Sequence, residues 1–381
     1  MATEPRPDHL ALREGRRERL FAAMEDHDLD VVVLGRVANI RYASGVPILW
    51  NAGTRPFGPG CVVVRETREL YLLSTWDEGV PEEIPHDHLF GITWNPMNFV
   101  ALLQGIDAEA APHRVGTDAM SPLFAQLLPM AFPDATIIDA SRALGSARRT
   151  KTAEEVEAIR AAIGVAEAAM AVAVTELRPG VSERELTGAF MDAMASLGIT
   201  TPATQDVVRI TSAGGDRTRA SDRVVEAGDL VSFDAGVVAD GYTGEVGRTW
   251  PVEPNGNTPA IESLYRRADE LGERLIAACQ PGASGAGLLD AYRSAGEPLP
   301  GAPVAHGLGL GFDDPVIVRD LLQTASTESL DPGVVLVVTA SVSDDTVGSI
   351  VTHEAILITP DGPDVLTSSP FWNRQRSGAQ P

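Results

Sequence analysis

Apolar and polar positions divide the chain into a first half of helices with short strands and a second half with longer strands. The charged stretch Arg13–His27 has apolar residues at helical spacing, which predicts an amphipathic helix. Short apolar runs after it predict buried strands, and two of them flank a polar turn, which predicts a hairpin. These strands are Val31–Leu34, Cys61–Val64, Leu70–Leu73 and Thr136–Asp139. The first half is therefore predicted to be an α/β unit.

A linker separates the halves. The segment Ala140–Thr152 predicts it, and a helical pattern over Ala153–Leu177 follows, with Thr152 as its N-cap. Ser182 with Glu185 three residues later predicts a capping box at the start of another helix. Strands are predicted at Leu230–Val238, Val334–Val342 and Ile350–Thr359. We place the domains at residues 1–145 and 146–381.

The second half repeats itself. The segment Leu177–Ser182 recurs as Cys279–Ser284, each time before a helical stretch. The segment Gly228–Asp234 recurs as Gly333–Thr339, each time with a glycine turn before an apolar strand. Two repeated segments in the same order predict a duplicated α+β unit. A sheet shared by two such halves leaves a cleft along a pseudo-twofold axis, where a ligand can bind.

The composition limits the classes of partner that the protein can bind. The 381 residues carry 53 acidic and 30 basic side chains, for a formal net charge of −23. Such a surface repels phosphate backbones, so we expect no nucleic acid and no membrane partner. The polar N-terminus does not resemble a signal peptide, and no apolar run approaches the ~20 residues that span a bilayer, which predicts a cytoplasmic location. The two cysteines exclude a disulfide framework and a thiolate metal cage.

Candidate chemistry lies in three polar clusters on or beside predicted strands. Asp234 ends an apolar strand, and Glu245 follows it 11 residues later beyond a Gly-Tyr turn, so a hairpin would bring both carboxylates together. His306 lies in a glycine-rich segment, and His353 lies on the last long strand. Carboxylates and imidazoles presented from strands around a cleft are typical of a metal site or an acid–base site.

Two other kinds of site are excluded. The glycine-rich segment Gly307–Gly311 lacks the Lys-Ser/Thr ending of a phosphate-binding loop and does not precede a helix. The sequence also lacks the Gly-x-Ser-x-Gly pattern of a serine hydrolase nucleophile.

Motifs spread over nearly the whole chain resemble those of the creatinase, Xaa-Pro aminopeptidase (prolidase) and methionine aminopeptidase superfamily. They are Arg149–Glu155, Gly241–Tyr242, Glu245, Arg248–Thr249, His306–Gly309 and Gly333 before a strand. The resemblance implies an α+β fold, with a creatinase-type α/β N-terminal domain and a pita-bread C-terminal domain with pseudo-twofold internal duplication. Since one fold hosts many activities, it does not by itself fix the reaction.

Metallopeptidases of that superfamily hold two metals with two Asp, one His and two Glu. Carried over by position, the resemblance assigns Asp234 and His306 as matches and Glu245 as a conservative change. The two glutamates fall on Thr339 and His353. A neutral hydroxyl is a weak ligand and an imidazole nitrogen binds one metal at a time, so the repulsion between two ions would lack compensation. We therefore predict no metal or a single divalent ion (iron, manganese or zinc) held by Asp234, Glu245, His306 and His353, and not a dinuclear centre.

The predicted function is that of a non-peptidase enzyme, which hydrolyses or lyses a C–N or related bond in a compact anionic substrate. Glu245, His306 and His353 are its predicted catalytic residues. Three alternatives stay open. One is a mononuclear non-haem iron enzyme that uses the same three residues. The others are a catalytically silent binding module and an Xaa-Pro peptidase.

The substrate is predicted to contact residues from both domains. Arg217 stands where the peptidases keep a substrate-contacting histidine, and an arginine there suits an anionic group. Asp313 falls on another histidine position of the peptidases. Tyr242 is also predicted to bind substrate. Creatinase takes an arginine and an aromatic residue from its second subunit, and the matching loop here offers Arg55 and Phe57. We therefore expect a small-molecule substrate and a homodimer in which this loop completes the other subunit's site.

Overall fold

The computed structural model describes residues 9–46, 60–74, 77–91, 95–118, 121–204, 207–212, 222–254, 258–319 and 328–373. The chain forms two compact units that divide between Arg148 and Arg149. The predicted boundary at residues 145 and 146 lies close to this division. The predicted α+β class, with two domains of different architecture, is confirmed.

The first unit contains a six-stranded sheet in the order β4-β3-β2-β1-β5-β6. Its strands are β1 Val31–Leu34, β2 Cys61–Val64, β3 Leu70–Leu73, β4 Leu89–Phe90, β5 Arg114–Thr117 and β6 Thr136–Asp139. Its helices are α1 His9–Asp26, α2 Val37–Ser44, α3 Pro96–Gln104, α4 Phe124–Ala131 and α5 Ser141–Arg149. All four residues of β1 are buried, because this strand lies inside the sheet between β2 and β5.

Two sequence predictions in this unit have different outcomes. The hairpin is confirmed, since β2 and β3 pair antiparallel with Val62 opposite Tyr71. The segment Ala140–Thr152 is not an irregular linker, because most of it forms α5. Alanines and leucine at helical spacing, buried at Ala143, Leu144 and Ala147, give this segment an apolar face despite its arginines.

The second unit contains an eight-stranded sheet in the order β12-β11-β14-β15-β9-β8-β7, with β16 paired to β15. Its strands are β7 Val208–Ile210, β8 Leu230–Ala239, β9 Tyr242–Pro251, β11 Ala305–Leu308, β12 Phe312–Ile317, β14 Val335–Asp344, β15 Gly348–Thr359 and β16 Gly362–Val365. A separate pair is formed by β10 Ala283–Ser284 and β13 Ser329–Leu330. Its helices are α6 Ala153–Thr175, α7 Glu183–Ser196, α8 Pro259–Ala278 and α9 Ala286–Ala295.

The predicted internal duplication is visible in the strand order. The hairpin β8–β9 and the hairpin β14–β15 are the two copies, and they meet where His353 on β15 pairs with Gly247 on β9. Helix α6 packs on β8 and β9, while α8 packs on β14 and β15. Each half therefore buries one face of its hairpin under a helix, which leaves the opposite face of the central strands for a site.

Helix α6 begins at the predicted N-cap Thr152, which forms a capping box with Glu155, because each side chain bonds the other's backbone N–H. Among the described residues it alone is long and apolar enough to cross a membrane by length and composition. This corrects the expectation that no run approaches that length. Its alanine-rich face packs against the sheet so closely that a Cβ on Gly244 would lie 2.2 Å from the Ala162 backbone. Such packing is that of a core helix.

Candidate metal centre

Strand register places the chemistry in one row across the sheet. Asp234 on β8 is opposite Gly247 on β9, Gly247 is opposite His353 on β15, and His353 is opposite Thr339 on β14. Glu245 lies two residues before Gly247, and residues two apart on a strand point to the same face. Four strands thus bring residues from distant parts of the sequence to one surface.

Gly247 makes room for the imidazole in this row. A Cβ built on Gly247 would lie 2.0 Å from Cδ2 of His353. Any other residue at this position would therefore push the His353 ring out of the row. Because Gly247 has no side chain, the His353 ring can lie over β9, toward Asp234 and Glu245.

Three of the four predicted ligands form a cluster that fits a divalent cation. One ligand atom from each of Asp234, Glu245 and His353 lies within 4.8 Å of the others. His353 Nε2 is 4.0 Å from Asp234 Oδ1, and His353 Nδ1 is 4.0 Å from Glu245 Oε1. Asp234 Oδ1 is buried and has no hydrogen-bond partner within the described part of the chain. A buried carboxylate oxygen without a donor, beside a second carboxylate and an imidazole, is a donor set that divalent metals bind.

The fourth predicted ligand, His306, joins the cluster through Glu245. Its Nε2 lies 3.3 Å from Glu245 Oε2, and both side chains are buried. On its other side the ring meets Phe312 edge-on, with ring centroids 4.3 Å apart. His306 is therefore placed to exchange a proton with Glu245, at the border between the carboxylates and an exposed aromatic ring.

The two carboxylates differ in their electrostatics. Burial raises the pKa of Asp234, and the charge of Glu245 adds to this effect against the opposing charge of His353. Burial also acts to raise the pKa of Glu245, but the hydrogen bond and charge of His306 outweigh it and leave that pKa lowered. Burial therefore disfavours the charged form of Asp234, whereas the contact with His306 favours the charged form of Glu245.

Thr339 and His353 contact each other. Thr339 Oγ1 lies 3.0 Å from His353 Nδ1. The hydroxyl of Tyr292 donates a hydrogen bond of 2.8 Å to the Thr339 carbonyl, which fixes the backbone of β14 at this residue. The Thr339 hydroxyl thus orients the imidazole of His353 and leaves its Nε2 directed toward Asp234.

The predicted substrate-binding residues are dispersed. Arg217, Arg55 and Phe57 lie outside the described residues. Tyr242 is buried and donates a hydrogen bond of 2.8 Å to Glu155. Asp313 is also buried, and its Oδ2 accepts from Nζ of Lys151 at 3.3 Å. These contacts favour structural roles for Tyr242 and Asp313, because their polar atoms bind neighbouring side chains of the protein.

Two arginines lie on strands next to or within the row of site residues, and neither was predicted as a site residue. Arg209 on β7 has its Nη2 3.8 Å from Asp234 Oδ2. Arg248 points to the opposite face of the sheet, where it pairs with Glu354 and donates to the carbonyls of Gly247 and His353. The sequence carried no periodic signal for Arg209, because β7 has only three residues.

The sequence matches metallopeptidase family M24 over residues 157–360 and the creatinase/prolidase N-terminal domain over residues 16–150. The chain belongs to family M24. It is an enzyme of the hydrolase class, and the predicted superfamily is confirmed.

Several proteins with similar sequences are named as peptidases. The chain is 25% identical over 370 residues to the Xaa-Pro dipeptidase of Pyrococcus furiosus, covering 93% of this chain and 98% of that protein. It is 28% identical over 245 residues to the uncharacterized peptidase YqhT of Bacillus subtilis, covering 62% and 67%. Among solved structures, the prolidase from Pyrococcus horikoshii OT3 superposes with a TM-score of 0.75 at 21% identity, covering 94% of this chain and 99% of that one. Escherichia coli aminopeptidase P, in an Asp260Ala variant, gives 0.72 at 21% identity, covering 94% and 95%.

These findings correct two predictions. The expected absence of a dinuclear centre is wrong, since prolidases and aminopeptidases P of this family are typically dinuclear metal enzymes. The prediction gave too much weight to Thr339 and His353, because Asp234 and Glu245 would together still offer four carboxylate oxygens to bound metal. The non-peptidase reaction is not supported either, and the Xaa-Pro peptidase alternative fits the comparisons better.

Proposed function

We propose that this chain is a metal-dependent dipeptidase that cleaves the amide bond of Xaa-Pro dipeptides. One observation carries the proposal. Asp234, Glu245 and His353 converge within 4.8 Å, with His306 against Glu245, in a chain that aligns along nearly its whole length with an Xaa-Pro dipeptidase. Bound divalent metal would polarise the scissile carbonyl and supply an activated water.

The chain's own residues have distinct roles in this proposal. Asp234, Glu245 and Nε2 of His353 hold metal, with Thr339 fixing the orientation of the imidazole. His306, beside Glu245, takes up the proton that the attacking water releases and delivers it to the leaving amide nitrogen as the C–N bond breaks, which leaves the ring neutral again. The edge of Phe312, against the ring of His306, offers an apolar surface to the proline ring.

The test is hydrolysis by the metal-loaded protein. We expect release of proline from Ala-Pro or Leu-Pro in the presence of Mn²⁺, Co²⁺, Zn²⁺ or Fe²⁺, with little cleavage of Ala-Ala. The variant H353A, which loses an imidazole ligand, provides the blank for contaminating peptidases. Wild-type rates no higher than those of H353A with every metal would refute the proposal.

A second candidate is favoured by one observation. The resemblance expects glutamates at two positions where this chain has Thr339 hydrogen-bonded to His353. A neutral hydroxyl and an imidazole change the charge that faces the substrate, which suits hydrolysis of a C–N bond in a compact anionic molecule other than a peptide. Cleavage of guanidino acids or N-acyl amino acids, without cleavage of Xaa-Pro dipeptides, would select this candidate.

We propose further that the enzyme works as a homodimer in the cytoplasm, with Arg55 and Phe57 contributed to the site of the other subunit and Arg217 contacting substrate. Family prolidases are typically dimeric. Sedimentation velocity gives the oligomeric state. Mixing R55A with H353A tests the sharing, because a heterodimer would regain one complete site. Failure of the mixture to recover activity would contradict it.

A further inference from the structure

Arg209 lies on the same face of the sheet as the metal cluster. On β7 it is opposite Ser232 of β8, and Asp234 is two residues further along β8. Diagonal neighbours of this kind share a face, within reach of long side chains. Arg209 Nη2 is 3.8 Å from Asp234 Oδ2, which is beyond hydrogen-bond distance. The guanidinium therefore forms a long ion pair with Asp234 without a hydrogen bond to it.

The internal duplication gives Arg209 a counterpart. Strands β8 and β14 are the two copies of the repeated strand, so Ser232 in the first copy matches Val337 in the second. Arg209 pairs with Ser232, and His306 pairs with Val337. Arg209 thus occupies the pseudo-symmetric position of His306, at the opposite edge of the same site. One edge presents an imidazole and the other a permanent positive charge.

Two polar atoms of opposite character are left without partners in this site. Arg209 Nε is buried and, like Asp234 Oδ1, has no hydrogen-bond partner within the described ranges. A cation satisfies the carboxylate oxygen. Only an acceptor satisfies the Nε–H group of Arg209, and buried polar groups of native proteins are nearly always satisfied. The site as built therefore calls for an anion next to the metal.

We propose that Arg209 is a specificity-determining residue that binds the carboxylate of the substrate. A guanidinium presents parallel N–H groups that match a carboxylate, and this pairing is stronger and more directional than a single hydrogen bond. The inference rests on the proposed function and deepens it. In a dipeptide the free carboxylate lies one residue beyond the scissile bond, so Arg209 beside the metal selects dipeptides and compact N-acyl amino acids over longer or amidated peptides.

The test compares two probes that differ only at the carboxylate. L-proline and L-prolinamide share the ring and the amine, and calorimetry measures their binding to the Mn²⁺-loaded protein. We expect L-proline to bind about tenfold more tightly, the low end of the range for hydrogen bonds to charged groups. R209Q should abolish this preference. R209K should keep part of it, because lysine keeps the positive charge but lacks the two parallel N–H donors of the guanidinium. R178Q removes one positive charge from an exposed turn residue, and it should behave as wild type.

Metal content is measured for every variant, because Arg209 is close to Asp234. If R209Q loses metal, R209K in its metal-loaded form decides the question. Equal preference in wild type, R209Q and R209K would overturn the proposal, as would loss of the preference in R217Q but not in R209Q. If the wild type cleaves no Xaa-Pro dipeptide, N-acetylglycine and N-acetylglycinamide replace the proline probes. A carboxylate preference that depends on Arg209 would then stand without the peptidase, and no preference in either pair would refute it.

Discussion

The hydroxyl of Thr339 lies 3.0 Å from Nδ1 of His353, across the ladder between β14 and β15. This contact involves the two positions at which the superfamily resemblance expects glutamates. The hydroxyl occupies one imidazole nitrogen and directs the other toward Asp234, 4.0 Å away. The two departures from the motif therefore act as a pair, in which one residue orients the other.

Removing the Thr339 hydroxyl should weaken metal binding. T339V keeps the shape of the side chain but leaves Nδ1 without its partner, and the loss of such an orienting group typically lowers metal affinity about 10–100-fold. T339S retains the hydroxyl and should bind metal within a few-fold of wild type. Competition with a fluorescent chelator measures both affinities. Equal affinity of T339V and wild type would show that the contact does not orient the ligand.

Adding a methyl group at Gly247 should displace the His353 ring. Because the new Cβ would lie 2.0 Å from Cδ2 of His353, G247A should lose hydrolysis and metal affinity to the same degree as H353A. The control is G272A in α8, where a Cβ meets nothing within 4 Å. A glycine-to-alanine change inside a helix should raise the free energy of unfolding by about 0.5–1 kcal/mol. Activity of G247A near that of wild type would mean that the ring has another place to lie.

The sequence allowed prediction of the architecture because its signals are local or repeated. The repeated segment found at Gly228–Asp234 and Gly333–Thr339 revealed the duplicated strands, and the N-cap Thr152 located the start of α6. Helix α5 was missed, since its glycine and arginines gave a weak signal and its apolar face contains small residues. Short amphipathic helices of this kind are recognised by what they pack against, which a sequence does not show.

The sequence predicted residues that lie close together in the structure, but not what surrounds them. Asp234, Glu245 and His353 were found from strand ends and the family motif, whereas their common row depends on strand register. Arg209 was missed because β7 has only three residues and no periodic pattern. The pairing of Lys151 with Asp313 joins residues 162 apart, and no short-range rule connects them. Register and long-range pairing are properties of the folded sheet.

Removing metal should destabilise the protein. Burial raises the pKa of Asp234, and its Oδ1 has no donor among the described residues, so a bound cation stabilises the folded state specifically. Metal present at about 100 times its dissociation constant contributes about 2.7 kcal/mol to the free energy of unfolding. Thermal denaturation with and without a chelator should therefore show a fall in Tm that metal addition reverses. D234N provides the control, since it should respond much less to the chelator. A Tm independent of metal in the wild type would contradict the prediction.

Breaking the Arg248–Glu354 pair should destabilise the sheet where its two halves meet. Arg248 is almost fully buried, and it donates to Glu354 and to the carbonyls of Gly247 and His353. R248M leaves a carboxylate buried without its cation, which typically costs about 3–5 kcal/mol. The double variant R248M/E354Q should recover part of this loss, because the uncompensated charge is gone. Urea denaturation measures both, and additive losses in the double variant would refute the coupling.

Replacing Tyr242 by phenylalanine decides between a substrate-binding and a structural role for this residue. Its hydroxyl is buried and donates to Glu155 at 2.8 Å, in the first turn of α6. Y242F removes a hydrogen bond to a charged acceptor, which should lower the free energy of unfolding by about 1.5–3 kcal/mol. If the role is structural, kcat and KM for an Xaa-Pro dipeptide stay within a few-fold of wild type at a temperature where the variant is folded. If Tyr242 contacts substrate, as the sequence predicted, KM rises at least tenfold while stability changes little. Measuring both properties on the same preparation separates these outcomes, because a structural hydrogen bond and a substrate contact shift different quantities.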